Sequence, residues 1–161
     1  MDGTSHDEDS RSWSRCVAMA REVPVPSPFS LERFRAGFER WRGRPFALAA
    51  VPLPMPPGRG AVWVGTASSD YIFYEPSATP FEQVRAIAHQ VGHLCAGHRG
   101  AALPGGTVAG LFPDLDPVVV AAELAAPAAF TSAQEREAEV FAGVLLSRIL
   151  LPGPGSCHQG P

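Results

Sequence analysis

The strongest structural signal in the chain is a helix start at residues 79–82. Thr79 can cap the helix, and Pro80 suits its first turn. Glu82 can bond back to the backbone of Thr79 and so close a capping box. The helix is predicted to run to about Gly97. Apolar residues recur along it at spacings of three and four: Phe81, Val84, Ala88, Val91 and Cys95. This periodicity predicts a helix with one buried face.

The remaining secondary structure can be predicted from periodicity and turn residues. Helices are expected at 13–22, 30–41, 118–125 and 132–150, and strands at 46–53, 61–66 and 71–75. The second helix carries an apolar stripe that predicts core packing: Leu31, Phe34, Phe38 and Trp41. Because residues 67–70 resemble a hairpin turn, we expect an α+β fold with a small three-stranded antiparallel sheet packed on helices.

The domain organisation follows from length and composition. A chain of 161 residues with 45% hydrophobic residues is expected to form one domain. We place it at residues 12–151, after an acidic disordered tail at 1–11 and before a disordered Gly/Pro-rich tail at 152–161. The Gly- and Pro-rich segment 98–116 is predicted to be a long loop, which could frame a cleft.

Composition also narrows the function. The net charge of −3 argues against direct nucleic-acid binding. The three cysteines are far apart and odd in number, which favours a reducing compartment over a disulfide framework. We find neither a secretory leader nor a membrane-spanning apolar run, so a cytoplasmic protein is expected. Arginine supplies all 13 basic residues, as is typical of a high-GC bacterial genome.

Two histidines stand four residues apart on the predicted helix. His89 and His93 therefore lie on one side of it, about one turn apart, where both rings can reach one metal ion. In the zinc-peptidase pattern H-E-x-x-H, the glutamate takes a proton from the metal-bound water. Here that position is Gln90, which cannot take up a proton, so hydrolysis should be weak or absent. The alternative is that both histidines are polar residues that bind no metal and either face solvent or are hydrogen-bonded in the core.

A third metal ligand is expected from the last helix. Glu135 precedes the apolar face of that helix by three residues and is the preferred candidate, with Glu137 as the alternative and Glu139 predicted to point away. Ser132 and Glu135 could instead form a capping box. Further along the helix that carries His89 and His93, Cys95 is assigned to the core. His98 is expected at the helix end, near the site but not on the ion.

In these segments the chain resembles the ImmA/IrrE family. Members combine a short strand, a helix with H-E-x-x-H-x-x-x-G-H and a downstream E-x-x-A-x-x-F-A-x-x-L-L. The strand corresponds to residues 71–74, the helix to 89–98 and the downstream segment to 135–146. The glutamine at position 90 is the departure from this pattern.

The resemblance spans residues 20–150 and implies a zincin-like metallopeptidase domain. Zinc would be held by His89, His93 and Glu135. Members commonly act beside a helix-turn-helix repressor, and some belong to toxin–antitoxin-like pairs. The resemblance thus implies a protein partner, a repressor or antitoxin, rather than nucleic acid or membrane.

Three functions are compatible with this sequence. The first is a zinc-binding, peptidase-derived regulator that acts on a partner protein with weak or no proteolysis. The second is an active site-specific zinc endopeptidase in which another carboxylate, with Glu137 the nearest candidate, replaces the missing base. The third is a metal-free protein-interaction module. Gln90 favours the first.

Overall fold

The computed structural model describes residues 3–50, 60–65, 69–98 and 130–151, with the backbone alone for 3–9. In chain order its elements are α1 (Gly3–Glu22), α2 (Leu31–Arg42), β1 (Phe46–Ala50), β2 (Ala61–Gly65), β3 (Asp70–Tyr74), α3 (Pro80–Cys95) and α4 (Ser132–Leu150). These four helices and three strands confirm the α+β class. None of the helices in these ranges is long and apolar enough to cross a membrane.

Three predictions fall outside the described residues. They are the helix at 118–125, the Gly/Pro-rich tail at 152–161 and, apart from its first residue, the loop at 98–116.

The first helix begins earlier than its apolar periodicity predicts. α1 starts at Gly3 rather than at residue 13, so it includes most of the predicted tail at 1–11. The buried residues among its described side chains, Cys16 and Ala20, lie in the predicted part. Once a helix is nucleated, each further residue adds one hydrogen bond, so a helix can extend through polar residues beyond its packed region.

Helix α2 supplies the aromatic part of the core. Ser30 caps it by accepting a hydrogen bond from the backbone nitrogen of Arg33 at 3.2 Å, as predicted for this position. Phe34 and Phe38 are buried and stack with ring centroids 5.8 Å apart. Trp41, predicted with them, is 42% exposed because it sits at the end of the helix.

The sheet is mixed, so the prediction of an antiparallel sheet is wrong for one of its two pairings. Its order is β1-β3-β2. β2 and β3 pair antiparallel, as the predicted turn between them requires, whereas β1 and β3 pair parallel. Parallel neighbours need a long connection rather than a hairpin, and here that connection includes β2 itself. Turn residues could reveal the hairpin but not which strand lies beside β1.

Helix α3 starts as predicted. Thr79 accepts from the backbone of Glu82, the Glu82 side chain accepts from the backbone of Thr79, and Pro80 opens the first turn. The helix ends at Cys95 rather than near residue 97. Its predicted apolar face is only partly correct, because Phe81 is 52% exposed and the first buried residue is six positions later. The buried residues of α3 are Ile87, Ala88, Val91, Gly92, His93 and Leu94.

Helices α3 and α4 pack closely at Gly92. A Cβ atom on Gly92 would lie 3.0 Å from both Cα and the carbonyl oxygen of Ala138. Of the predicted buried face of α4, Ala138, Phe141, Ala142 and Leu145 are buried, whereas Ile149 is half-buried. This contact brings one turn of each helix together at the level of the two histidines.

Candidate metal centre

His89 and His93 point their rings to the same side of α3. Their Nε2 atoms are 3.1 Å apart, and the ring planes are close to perpendicular at 75°. The His93 side chain is completely buried, whereas that of His89 is 18% exposed. The spacing of four residues therefore places both rings on one side of the helix, close enough to bind one ion, as the sequence predicts.

Glu135 reaches the two histidines from the first turn of α4. Its Oε2 atom lies 3.1 Å from His89 Nε2 and 3.6 Å from His93 Nε2. The Glu135 side chain takes no part in a capping box, because the N-cap of α4 is Thr131 and the side chain that bonds back to it is that of Gln134. The alternative that Glu135 closes a capping box with Ser132 is therefore wrong. His89, His93 and Glu135 form a group that could hold a metal ion.

The distances within this group agree with the size of a tetrahedral zinc site. Zinc binds imidazole nitrogen and carboxylate oxygen at roughly 2.0–2.1 Å. Two ligand atoms of a regular tetrahedron are then roughly 3.3–3.4 Å apart. The three atoms of the group are separated by 3.1, 3.1 and 3.6 Å. Two imidazoles and one carboxylate are also the three-residue ligand set of several catalytic zinc sites.

Burial keeps His93 in its neutral form. Desolvation, together with the neighbouring His89 and His98 rings, lowers the pKa of His93 to about 3. The ring of Phe130 stacks on His93 at a centroid distance of 3.7 Å and an interplanar angle of 15°. A neutral imidazole always carries one lone pair, so His93 is in the protonation state that metal binding requires.

Gln90 turns away from this group toward the sheet. Its Oε1 atom accepts a hydrogen bond from the backbone N–H of Trp63 in β2 at 3.2 Å. The carbonyl of Gly60 accepts from the backbone N–H of Glu75, the residue after β3, so in the antiparallel register the N–H of Trp63 points to the outer side of β2. The side chain at the position of the general base therefore links α3 to a sheet edge.

Glu137, the alternative third ligand, lies outside the metal-binding group. Its Oε2 atom is 2.7 Å from His98 Nε2, and its other oxygen accepts from Ser12. Burial alone would raise the pKa of Glu137, but hydrogen bonds from Ser12 and His98 and the charge of Arg15 lower it below its usual value. The structure thus brings Glu135, and not Glu137, to His89 and His93.

His98 lies at the helix end, as predicted, and contacts the site through His93. The Nδ1 atoms of His98 and His93 are 2.9 Å apart. His98 is buried, with 6% of its side chain exposed. It joins Glu137 on α4 to one metal-ligand candidate on α3.

Glu139 and Phe130 also belong to the site, although the sequence patterns did not predict either. Glu139 Oε1 lies 3.3 Å from His89 Nδ1, without the alignment of a hydrogen bond. The prediction that Glu139 points away is therefore wrong. Since Glu139 follows Glu135 by four residues, helical periodicity could have placed both on one face. Phe130 had no comparable signal, because it precedes the helix.

A cavity of about 580 Å³ opens beside His89 and Glu135. β2 forms one wall through Trp63, and Phe130 lies on its surface. The other charged and polar groups on the lining are Glu75, Ser77, Glu82, Arg85, Gln90 and Glu139. Because the Glu135 side chain is 47% exposed, the metal-binding group is buried on the His93 side and accessible from the cavity.

No protein-family model, curated protein or solved structure matches the chain. The functional assignment consequently depends on the site itself and on the sequence resemblance.

Proposed function

We propose that this chain is a zinc-binding, peptidase-derived regulatory protein that acts on a partner protein with weak or no proteolysis. The observation that carries the proposal is the convergence of His89, His93 and Glu135 beside a glutamine. We further propose a zincin-like fold and membership of the ImmA/IrrE family, since both segments of that pattern meet at this group.

Zinc is the metal that these ligands favour. His89 and His93 supply imidazole nitrogens, and Glu135 supplies a carboxylate oxygen from the accessible side. Bound zinc would act as a Lewis acid and lower the pKa of a bound water. Phe130, stacked against His93, restricts the orientation of that ring.

Proteolysis is weak in this proposal because neither of the two side chains considered for the base, Gln90 and Glu137, can take that role. Gln90 has a neutral amide, and its oxygen is engaged by Trp63. Both oxygens of Glu137, the replacement base in the endopeptidase alternative, have partners on the far side of His93. The absence of a base typically costs about 100- to 10,000-fold in rate.

A protein partner fits the surroundings of the zinc group. The cavity is lined by charged and polar side chains together with Trp63 and Phe130, a surface suited to a protein segment that carries both polar and apolar groups. The negative net charge opposes direct contact with nucleic acid. The resemblance points to a helix-turn-helix repressor or antitoxin as the partner.

The proposal is tested by metal analysis and a cleavage assay. We expect wild type purified without chelators to contain zinc near one equivalent, and His89→Ala to contain little. With a regulator encoded by a neighbouring gene as substrate, Gln90→Glu should cleave at least about 100-fold faster than wild type. Zinc-free wild type would support the metal-free module instead. Zinc-loaded wild type that cleaves as fast as Gln90→Glu would establish an active endopeptidase.

A further inference from the structure

His93 has a partner at each ring nitrogen. Its Nε2 atom faces His89 and Glu135, and its Nδ1 atom lies 2.9 Å from His98 Nδ1. The other nitrogen of His98 lies 2.7 Å from Glu137 Oε2. Glu137, His98 and His93, named here the hydrogen-bond relay, run from α4 across the helix end into the candidate metal centre.

The positions of the protons in this relay follow from what each group can donate. An ionised Glu137 only accepts, so the proton between it and His98 lies on His98 Nε2. In a neutral His98 the Nδ1 atom is then an acceptor. The 2.9 Å contact between the two Nδ1 atoms holds one proton, which must come from His93. Neutral His93 is left with its lone pair on Nε2.

The opposite proton arrangement leaves an unfavourable contact. If His98 Nδ1 carried the proton, the lone pair of His98 Nε2 would face the Glu137 carboxylate at 2.7 Å. Two acceptors would then oppose each other where His98 is buried and water cannot separate them. Glu137 therefore determines the direction of every hydrogen bond in the relay.

We propose that Glu137 is a positioning residue that, through His98, fixes His93 in the Nδ1–H tautomer and so directs the Nε2 lone pair toward His89 and Glu135. The consequence for zinc affinity rests on the proposed function, whereas the tautomer is a property of the metal-free protein. A carboxylate that orients a metal-ligating histidine commonly acts directly; here a second histidine lies between them.

The tautomers can be read directly in metal-free protein. Two-bond ¹H–¹⁵N correlation spectra at pH 8, with EDTA, distinguish protonated from unprotonated ring nitrogens. We expect Nδ1–H for His93 and Nε2–H for His98 in wild type. Glu137→Gln presents either an oxygen or an NH₂ group to His98, so His93 should lose its single tautomer. Nε2–H on His93 in wild type would overturn the proposal whether or not the variant folds.

Ser12→Ala is the matched control. It removes a hydrogen bond to the other oxygen of Glu137 but leaves the carboxylate facing His98. If Glu137 acts merely by joining α1 to α4, both variants should behave alike. We expect Ser12→Ala to retain the wild-type tautomers, and an unchanged His93 tautomer in folded Glu137→Gln would contradict the proposal.

Zinc affinity separates this inference from the proposed function. By competition with a chelator, Glu137→Gln should bind zinc about 10- to 100-fold more weakly than wild type. Ser12→Ala should stay within about twofold of wild type. Wild type with the expected tautomers but no zinc binding would refute the proposed function and leave the positioning role intact. Equal zinc affinity in wild type and Glu137→Gln would contradict the effect of that role on the metal.

Discussion

Gln90 combines two roles that a sequence pattern cannot separate. It lacks the ionisable group of a general base, and its amide oxygen satisfies the backbone N–H of Trp63. A glutamate at this position would retain the second role through one of its two oxygens and leave the other available as a base, because each carboxylate oxygen accepts hydrogen bonds. The two roles can consequently be measured with different substitutions.

We expect Gln90→Ala to lower the free energy of unfolding by about 1 kcal/mol, the usual net value of one hydrogen bond. Gln90→Glu, which keeps an acceptor for Trp63, should remain close to wild type. Urea unfolding of metal-free protein measures both. Equal loss in the two variants would show that the Trp63 contact does not contribute to stability.

His93 should make the stability of metal-free protein depend on pH. Its pKa is about 3 in the folded chain and 6.5 in the unfolded chain, so only the unfolded chain takes up this proton between these values. The free energy of unfolding should fall as pH decreases from 6.5 toward 3. His93 alone contributes at most about 1.4 kcal/mol per pH unit.

This dependence is checked by urea unfolding with EDTA at several pH values between 7.5 and 5. The slope of wild type should exceed that of His93→Gln, which has no group to titrate. Parallel slopes would mean that His93 takes up its proton in the folded protein over the same pH range as in the unfolded chain.

Residue-level prediction from the sequence succeeded where periodicity alone decides contacts. His89 and His93 share one helix, and Glu135 is in line with the buried face of another. The hydrogen bonds of Gln90 and His98 were not predictable in this way. Their partners, Trp63 and Glu137, belong to other elements, so these contacts depend on how the elements pack.

At the scale of elements, the candidate metal centre depends on how closely α3 approaches α4. Gly92 permits that approach, because a Cβ atom there would meet the backbone of Ala138 at 3.0 Å. His93 and Glu135 lie next to this contact, on opposite helices. Any increase in the separation of α3 and α4 should therefore increase the distances between the histidines on α3 and Glu135 on α4.

We expect Gly92→Ala to destabilise the protein although alanine favours helices by about 1 kcal/mol over glycine. Overpacking typically costs about 1–3 kcal/mol and should exceed that gain. Gly143→Ala in α4 is the matched control, since a Cβ atom there meets nothing within 4 Å. The control should gain up to about 1 kcal/mol in urea unfolding. Stabilisation of both variants would argue against the close packing at Gly92.

Element starts were more predictable than strand pairing. Ser30 and Thr79 act as caps because their hydrogen bonds lie within three residues of the helix start. The parallel neighbour of β1 is 20 or more residues away in the sequence, where local signals carry no information. The start of α1 was also missed, because its polar first turns have no apolar periodicity.

At the scale of the whole molecule, metal binding should stabilise the fold. Glu135 is 46 residues beyond His89, so one ion would connect two distant parts of the chain. Under the proposed function, zinc at 100 times its dissociation constant should raise the free energy of unfolding by about 2.7 kcal/mol. Thermal unfolding with zinc and with EDTA measures this effect. The same zinc-dependent shift in His89→Ala would indicate that the ion binds elsewhere.

The hydrogen bond between Gln90 and Trp63 also affects self-association. Among the strands of the described residues β2 lies at the sheet edge, and exposed edge N–H groups are templates on which a second molecule can add a strand. The Gln90 side chain accepts a hydrogen bond from the outward-facing N–H of Trp63, the central residue of β2. We expect Gln90→Ala to aggregate at lower concentration than Gln90→Glu in light scattering, and equal behaviour would exclude this protection. On this view, the glutamine helps keep the protein monodisperse.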